Sequence, residues 1–256
     1  MTEQLVKTQQ DGVIYTITLA RPAKRNAVSD RLLRALDTAL NDTPEGTRAI
    51  ILAGEGDHFC AGLDLAEHQH REPFGVMQHS QWWHRIFQRI QNGGIPVIAA
   101  LHGAVIGGGL ELATATHIRV AEPSTIYQLP EGRHGIFVGG GASVRVAKII
   151  GPGRMCEMML TGRIIDAEEG QRLGLSHYSV GKGEALAKAT ELAKRVAENA
   201  PMANWAMCTA IGRIDNMATD DGFFVESLTA ALTQTSPEVS GRIGEFLQRK
   251  GKGPRT

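Results

Sequence analysis

Sequence patterns typical of strands alternate with patterns typical of helices along the first half of the chain, and this alternation limits the fold more than any other feature. Apolar runs or apolar/polar alternation predict strands at 13–19, 48–54 and 96–109. Amphipathic periodicity predicts helices at 29–41 and 80–92. Because helices that connect successive strands favour parallel pairing within a sheet, we expect an α/β fold with crossover connections.

The second half of the chain has a mainly helical pattern. Its clearest amphipathic stretch is "GEALAKATELAKRVAENA" (183–200), and three further helices are predicted after Pro201. No internal repeat and no long linker divides the sequence. We therefore expect a core over residues 1–198 and a helical segment over 199–256, whose apolar stretch "GFFVESLTAAL" predicts packing against other copies of the chain.

The overall composition excludes several classes of function. Lysine plus arginine and aspartate plus glutamate each number 27 among 256 residues, so no net field recruits nucleic acid or an anionic membrane. The N-terminal sequence has no apolar signal core, and no apolar run approaches the roughly 20 residues that span a bilayer. Three widely spaced cysteines form no disulfide or metal pattern. These features predict a cytoplasmic protein with reduced thiols.

Two glutamates stand among small and apolar residues. Glu111 follows the triplet Gly107–Gly109 after a predicted strand, and Glu131 lies between a proline and a glycine in "LPEG". Free amides at such a strand-to-helix turn carry partial positive charge, and glycine leaves them open to a ligand atom. A tight turn with two helix-start carboxylates is the simpler interpretation. The triplet followed so closely by a glutamate favours a functional acid/base pair.

Other catalytic motifs are absent from the sequence. It has no GxxxxGK[ST] phosphate loop, "GGGASV" lacks the last glycine of a dinucleotide-binding turn, and "GASVR" is not a serine nucleophile elbow. A cluster of histidines has no cysteine or acidic residue that completes a metal set; its members are His68, His70, His79 and His84. Phosphoryl transfer and serine hydrolysis lose their support, and no metal is predicted.

A second small-residue turn, "HFCAGLDL" (58–65), follows another predicted strand. Its backbone amides can face those of the glycine triplet and form an oxyanion hole. Further motifs accompany the two turns: "RPAKRNAVS" (21–29), "PVIAALHGAVIGGGLELA" (96–113), "LPEGRHGI" (129–136) and "LTGRIIDAEEGQRLGLS" (160–176). In this order and spacing they resemble the enoyl-CoA hydratase/isomerase (crotonase) superfamily over residues 5–250.

The resemblance implies a spiral of ββα repeats, C-terminal helices that assemble trimers or hexamers, and an acyl-CoA thioester substrate. Coenzyme A is then part of the substrate, and no separate cofactor is implied. By motif position, the amides of Leu63 and Gly108 hold the thioester carbonyl. Glu111 is the predicted base that activates water, and Glu131 the predicted acid that protonates the α carbon.

The full pair of glutamates resembles the hydratase branch, in which water adds across the double bond of an enoyl thioester. Two carboxylates that share one water in an apolar pocket should titrate as a coupled pair that keeps one proton near neutrality. Two alternatives remain open at this stage. One is an isomerase or another acyl-CoA-transforming enzyme of the same fold, and the other is a catalytically silent protein that binds acyl-CoA or a protein partner.

Further residues are predicted to contact the substrate. Lysine and arginine bind phosphate as charged donors, so Lys24 and Arg25 are candidates for the CoA phosphates, although a solvated turn explains them equally well. The tryptophan pair is predicted to line the acyl pocket, with core packing as the commoner use of such residues. The remaining candidates for substrate contacts are Ala27, Ala61, Asp64, Trp82 and Trp83, with Arg249 and Lys250 in the tail.

Three positions near the second glutamate, and one in the stretch "ATHIRVA", depart from the family pattern. Val138 stands where many hydratases have proline, Arg133 and His134 stand where aliphatic residues are usual, and His117 stands where an acid is common. None of them is one of the four predicted catalytic residues. They are expected to bear on the choice of substrate and on the reaction itself.

Overall fold

The computed structural model describes residues 4–66, 72–236, 239 and 241. Its strands, in chain order, are β1 (Val6–Asp11), β2 (Ile14–Leu19), β3 (Ala49–Gly54), β4 (Val97–Leu101), β5 (Ala104–Ile106), β6 (Ile118–Ala121), β7 (Ile126–Gln128), β8 (Ile165–Asp166) and β9 (Tyr178–Ser179). Its α-helices are α1 (Asp30–Asn41), α2 (Pro73–Asn92), α3 (Gly108–Ala113), α4 (Ala142–Ile150), α5 (Pro152–Thr161), α6 (Ala167–Arg172), α7 (Ala185–Ala197), α8 (Pro201–Ile214) and α9 (Thr219–Gln234). Short 3₁₀ helices span Pro22–Lys24 and Glu131–His134.

The strands form two sheets, and the chain passes from the larger to the smaller sheet in a repeated ββα unit. The larger sheet has the order β1-β2-β3-β4-β6-β9, with an antiparallel β1–β2 pair and otherwise parallel pairing. The smaller sheet has the order β5-β7-β8. In the units β4-β5-α3 and β6-β7-α4, the first strand joins the larger sheet and the second joins the smaller one. The predicted α/β class and the ββα repeat are confirmed.

The two helices predicted in the first half of the chain are present. The Ser29 hydroxyl caps α1 by accepting a hydrogen bond from the Leu32 amide at 3.2 Å, as its position before the apolar pattern predicted. Helix α2 begins seven residues earlier than the predicted residue 80, because Pro73 suits the first turn of a helix, where no amide hydrogen is needed. Its buried face packs Ile86, Phe87 and other apolar side chains into the core.

The apolar run at 96–109 is two strands, not the single strand that its pattern predicted. The chain breaks at Gly103, which has φ +55°, and a β-carbon there would overlap the main chain at Asp57. This bend sends β5 into the smaller sheet, where Val105 forms a bridge with Cys60. The bridge brings the turn at 58–65 beside the glycine triplet, and this places the site.

The C-terminal half contains the predicted amphipathic helix as α7 and two of the three helices predicted after Pro201 as α8 and α9. Apart from residues 239 and 241, the third predicted helix lies outside the described residues. Large apolar side chains on α8 and α9 are exposed to solvent; they include Ile211, Phe223, Phe224, Leu228 and Leu232. None of the helices within the described ranges combines the length and apolar character needed to cross a membrane. The division at residue 198 stays a prediction.

Candidate active site

A cavity of about 220 Å³ lies between α2, the start of α3 and the segment before α4. Helix α2 lines it with Val76, His79, Ser80 and Trp83; the other lining residues are Leu63, Gly108, Glu111, Glu131 and the segment 136–140. The volume is below the roughly 300–1,000 Å³ of a typical ligand pocket. It has room for an acyl group, and the much larger coenzyme A portion of a thioester would extend beyond it.

Each of the first and last glycines in the triplet is required for a different reason. Gly107 has φ +51°, and a β-carbon on it would lie 2.8 Å from a carboxylate oxygen of Glu131. A β-carbon on Gly109 would overlap the carbonyl oxygen of Cys60 in the neighbouring turn. The Gly107 amide also donates to the carbonyl oxygen of Gln128 at 2.9 Å, which ties the turn to the strand that precedes Glu131.

The amides of Leu63 and Gly108 lie close together at this turn. A β-carbon built on Gly108 would be 3.6 Å from the Leu63 nitrogen, and one built on Gly62 would be 3.3 Å from the Gly108 nitrogen. Gly108 is the first residue of α3, where an amide has no acceptor within the helix. Among the described residues, neither amide donates a hydrogen bond. The structure thus places the two predicted oxyanion donors on one cavity with free N–H groups.

The Glu111 carboxylate is buried, with 3% of the residue exposed. Its Oε1 atom accepts hydrogen bonds from the amides of Gly140 at 2.7 Å and Ala142 at 3.0 Å. Burial raises the pKa of Glu111 above its ordinary value, while these amides and the charge of Arg145 oppose the rise. Main-chain donors therefore fix one oxygen of this carboxylate, and the residue lines the cavity.

The Glu131 carboxylate has a different environment, although the residue is only 8% exposed. Its Oε2 atom is buried and has no hydrogen-bond partner in the described part of the chain. Burial, with a smaller contribution from the charge of Glu111, raises the pKa of Glu131 to about 7. A carboxyl group of this kind can hold a proton at neutral pH and give it up readily.

A half-buried arginine that the sequence reasoning missed supports Glu111. The Arg145 guanidinium donates to the carbonyl oxygen of Gly140 and, at 3.4 Å, to that of Glu111. Its charge also lies 5.8 Å from the centre of the Phe87 ring. A local signal existed in "GGGASVR", because glycines before a predicted helix indicate free amides. The sequence reasoning treated that stretch only as a failed dinucleotide motif.

The side chains of the two neighbouring tryptophans lie in different surroundings. Trp83 lines the cavity, and its indole would lie 2.8 Å from a β-carbon on Gly108. Trp82 is not among the lining residues, and its ring is 5.5 Å from the guanidinium of Arg34 on α1. Successive residues on a helix point about 100° apart, so one of two neighbouring side chains faces the cavity. Trp83 therefore lines the cavity as predicted, whereas contact of Trp82 with the substrate stays a prediction.

The predicted CoA-contacting residues of the first turn lie together near Leu63. Lys24 and Arg25 are exposed, and the carbonyl oxygen of Arg25 accepts from the Ala61 amide at 3.0 Å. The remaining two candidates, Ala27 and Asp64, are held by Arg21. Its guanidinium donates to the Ala27 carbonyl oxygen at 3.2 Å and to the buried Asp64 carboxylate at 2.6 Å. This arrangement fixes the turn, and direct contact of these residues with CoA stays a prediction.

Of the four clustered histidines, His79 lines the cavity and its Nε2 lies 2.8 Å from Asp30 Oδ1. Burial and the charge of Arg145 lower the pKa of His84. The described ranges contain no group of three histidine, cysteine, aspartate or glutamate residues able to hold a metal ion. His68 and His70 lie outside the described residues, as do Arg249 and Lys250.

The positions that depart from the family pattern serve different purposes. Val138 lines the cavity, and its effect on the choice of acyl group stays a prediction. Arg133 donates to the carbonyl oxygens of Thr161 and Gly162 at 3.1 and 3.2 Å, and His134 is exposed. The ring of His117 accepts from the Val97 amide at 3.0 Å, which is a structural contact away from the cavity.

Comparisons with known proteins agree with this geometry. The family model for enoyl-CoA hydratase/isomerase matches residues 8–232. The enoyl-CoA hydratase EchA19 of Mycobacterium tuberculosis is 32% identical over 224 residues, which are 86% of this chain and 84% of the relative. The short-chain-enoyl-CoA hydratase of Clostridium acetobutylicum is 30% identical over 245 residues, 94% of each chain.

A crystal structure of a Rhodopseudomonas palustris protein, named provisionally as an enoyl-CoA hydratase, superposes with a TM-score of 0.94. It is 50% identical, and the match covers 98% of this chain and 97% of that one. The family match spans most of the chain and includes both turns and both glutamates. The chain belongs to the enoyl-CoA hydratase/isomerase family.

Proposed function

We propose that the protein is an enoyl-CoA hydratase, which adds water across the α,β double bond of an enoyl-CoA thioester. The observation that carries the proposal is the convergence on one cavity of two buried carboxyl groups with raised pKa values and two unengaged main-chain amides. Relatives over nearly the full chain that bear the hydratase name support it.

The first requirement of the reaction is polarisation of the thioester carbonyl. The amides of Leu63 and Gly108 would donate to the carbonyl oxygen, where negative charge develops as the nucleophile attacks. Because these donors belong to the main chain and are already oriented, they need no rearrangement during the reaction. Removing one donor of such a pair typically costs on the order of 10²–10³ in rate.

The two glutamates then divide the proton transfers. Glu111, positioned by the amides of Gly140 and Ala142, takes a proton from water as the water oxygen bonds to the β carbon. The electron pair of the double bond moves to give an enolate held by the two amides. Glu131 delivers its proton to the α carbon, and dehydration follows the same steps in reverse. One proton shared by the pair therefore serves both directions.

The second carboxyl group favours hydration over isomerisation. Shifting a double bond moves one proton between two carbons, which one carboxylate can do alone. Adding water needs a base for the water and an acid for the α carbon at the same time. Glu131, with a raised pKa and a free buried oxygen, supplies the acid that an isomerase does not require.

Assembly into trimers or pairs of trimers forms part of the proposal. The exposed apolar side chains of α8 and α9 form a surface that a solitary chain would leave in water; Phe223 and Phe224 are 63% and 65% exposed. Light scattering should give the mass of three or six chains. A stable, fully active monomer would contradict this assembly.

The reaction is tested on a panel of enoyl-CoA thioesters that differ in acyl size and shape. Hydration removes the conjugated chromophore and gives the β-hydroxyacyl-CoA, which mass spectrometry distinguishes from substrate by one added water. Conversion of a β,γ-enoyl-CoA to its conjugated isomer, without hydration, would instead identify an isomerase. Tight binding without turnover of any thioester would identify a silent acyl-CoA-binding protein.

A further inference from the structure

A histidine and an aspartate that the hydration steps do not use meet at the wall of the cavity. We propose that His79, held by Asp30, binds a hydroxyl group on the acyl chain, so that the preferred substrate is a hydroxylated enoyl-CoA. The inference rests on the proposed function for the thioester at the other end of the substrate. The hydroxyl contact itself depends only on the shape and chemistry of the cavity.

Helix α2 sets the order of groups along this wall. Val76, His79 and Trp83 follow one another at helical spacing, so they lie on one face about one turn apart. Trp83 touches the turn that carries the Gly108 amide, and the His79 ring centre lies 6.1 Å from that of Trp83. Exposure rises from Trp83 at 5% to Val76 at 47%, so His79 lies between the amides and solvent.

Asp30 determines which nitrogen of the cavity-lining ring is left to accept a hydrogen bond. A carboxylate only accepts hydrogen bonds, so His79 Nε2, at 2.8 Å from Asp30 Oδ1, carries the proton and donates it. In the neutral ring, Nδ1 is then an acceptor. No group in the described part of the chain donates to this atom. Asp30 also begins α1, whose N-terminus favours a negative charge.

The surroundings select a hydroxyl group over the alternatives. An acyl carboxylate would enter a cavity that already contains Glu111 and Glu131, with Asp30 behind the histidine, and would be repelled by them. A hydrocarbon chain would cover Nδ1 and leave this acceptor without a hydrogen-bond partner, which disfavours its binding. A neutral O–H donor satisfies the nitrogen and brings no charge.

The test compares hexenoyl-CoA with its ω-hydroxyl and ω-carboxyl derivatives, and repeats the comparison for the octenoyl and cinnamoyl series. We expect at least one hydroxylated member to exceed its parent by roughly 10-fold in kcat/KM, mainly through a lower KM. In His79→Phe, which keeps an aromatic ring beside the tryptophans, kcat/KM of the preferred hydroxylated member should fall roughly 10-fold more than that of its parent, so that the preference disappears. Gln78→Leu, an exposed neighbour on the same helix, is the matched control and should keep the preference.

Three results would overturn the inference: no hydroxyl preference in the wild-type protein, a preference for the carboxylate, or equal losses on all substrates in His79→Phe. The last would show that the pair only links α1 to α2. Calorimetric binding of saturated acyl-CoA and ω-hydroxyacyl-CoA measures the same preference without turnover. If hydration is absent but the preference for the hydroxylated ligand persists in binding, only the proposed reaction is rejected. If hydration occurs without that preference, only the hydroxyl contact is rejected.

Discussion

The two walls of the cavity are built from different parts of the polypeptide. The main-chain wall consists of the amides of Leu63, Gly108 and Gly140, together with Glu111 and Glu131. The helical wall consists of the α2 side chains from Val76 to Trp83. A backbone N–H survives almost every substitution, whereas a side chain changes with a single one. The main-chain wall is thus suited to a fixed reaction, and the helical wall to an adjustable choice of acyl group.

The sharpest test of this division replaces the two carboxyl groups and nothing else. Glu111→Gln and Glu131→Gln should each lower kcat for hydration by at least roughly 10²-fold, because a positioned acid or base contributes that much. Binding of acyl-CoA should persist, since the amides of Leu63 and Gly108 remain. The double variant should lose far less than the product of the single losses, because the groups act on one addition.

Glu122→Gln is the matched control for these variants. Glu122 is also a buried glutamate, but it accepts from the Ala185 amide at 3.2 Å and does not line the cavity. Its replacement should leave kcat unchanged. Full hydration activity in Glu131→Gln on a good substrate would contradict both the paired-carboxylate mechanism and the division of roles between the walls.

The second prediction uses stability to separate the two glutamates of the main-chain wall. Burial raises the pKa of Glu131 from 4.5 to about 7, so the folded protein binds more protons than the unfolded chain between these values. The free energy of unfolding should therefore fall as pH rises through this interval and level off above it. Glutamine cannot ionise, so Glu131→Gln should be more stable above neutral pH by up to roughly 3 kcal/mol.

Urea unfolding at acidic and alkaline pH checks this sign. The advantage of Glu131→Gln over the wild-type protein should appear at roughly pH 8 and shrink towards roughly pH 5, below most of the titration. Glu111→Gln should gain less, because the amides of Gly140 and Ala142 favour the charged carboxylate that the variant loses. Equal stability of Glu131→Gln and the wild type at both pH values would contradict the raised pKa.

The third prediction concerns Arg145, which supports the main-chain wall without lining the cavity. Arg145→Met removes its hydrogen bonds to the carbonyl oxygens of Glu111 and Gly140 and should lower kcat on the order of 10-fold, with KM nearly unchanged. Loss of the positive charge should raise the pKa of Glu111 further and move the acid limb of the pH–rate profile to higher pH. Arg145→Lys should show smaller changes in both kcat and the acid limb. An unshifted acid limb in Arg145→Met would mean that the arginine only packs against its neighbours.

Local patterns pointed to the turns and the two glutamates of the main-chain wall, but not to its Gly140 segment. The glycine triplet, the turn at 58–65 and the two glutamates are short stretches whose chemistry is legible in the residues themselves. The resemblance then supplied their spatial relation. The prediction of one strand over 96–109 was wrong. The apolar pattern of one long strand is the same as that of two short strands, and only the bend at Gly103 separates them.

The helical wall, and the Gly140 part of the main-chain wall, depended on pairings that no local pattern contains. His79 meets Asp30 from 49 positions away, and Glu111 meets the Gly140 amide from 29 positions away. The cluster of histidines was considered only as a metal set, and the carboxylate that engages His79 lies on another helix. The rotation of α2 about its axis determines that Trp83 lines the cavity while Trp82 packs against Arg34. Two adjacent tryptophans in the sequence do not show this rotation.

The smallest expected effect lies outside both walls, at Lys24 and Arg25. If these exposed residues contact the phosphates of coenzyme A, replacing both with alanine should raise KM for CoA thioesters and leave kcat nearly unchanged, which is the signature of uniform binding. Exposed ion pairs contribute roughly 0.2–1 kcal/mol each, so we expect a change of a few-fold to about 10-fold at low salt that fades as salt increases. The matched control, Lys194→Ala with Arg195→Ala, removes the same charge from the exposed end of α7, which lines no part of the cavity, and should leave KM unchanged. An equal rise in KM for both double variants would assign the effect to net charge. Unaltered kinetics in the Lys24/Arg25 double variant would mean that these residues only form a solvated turn.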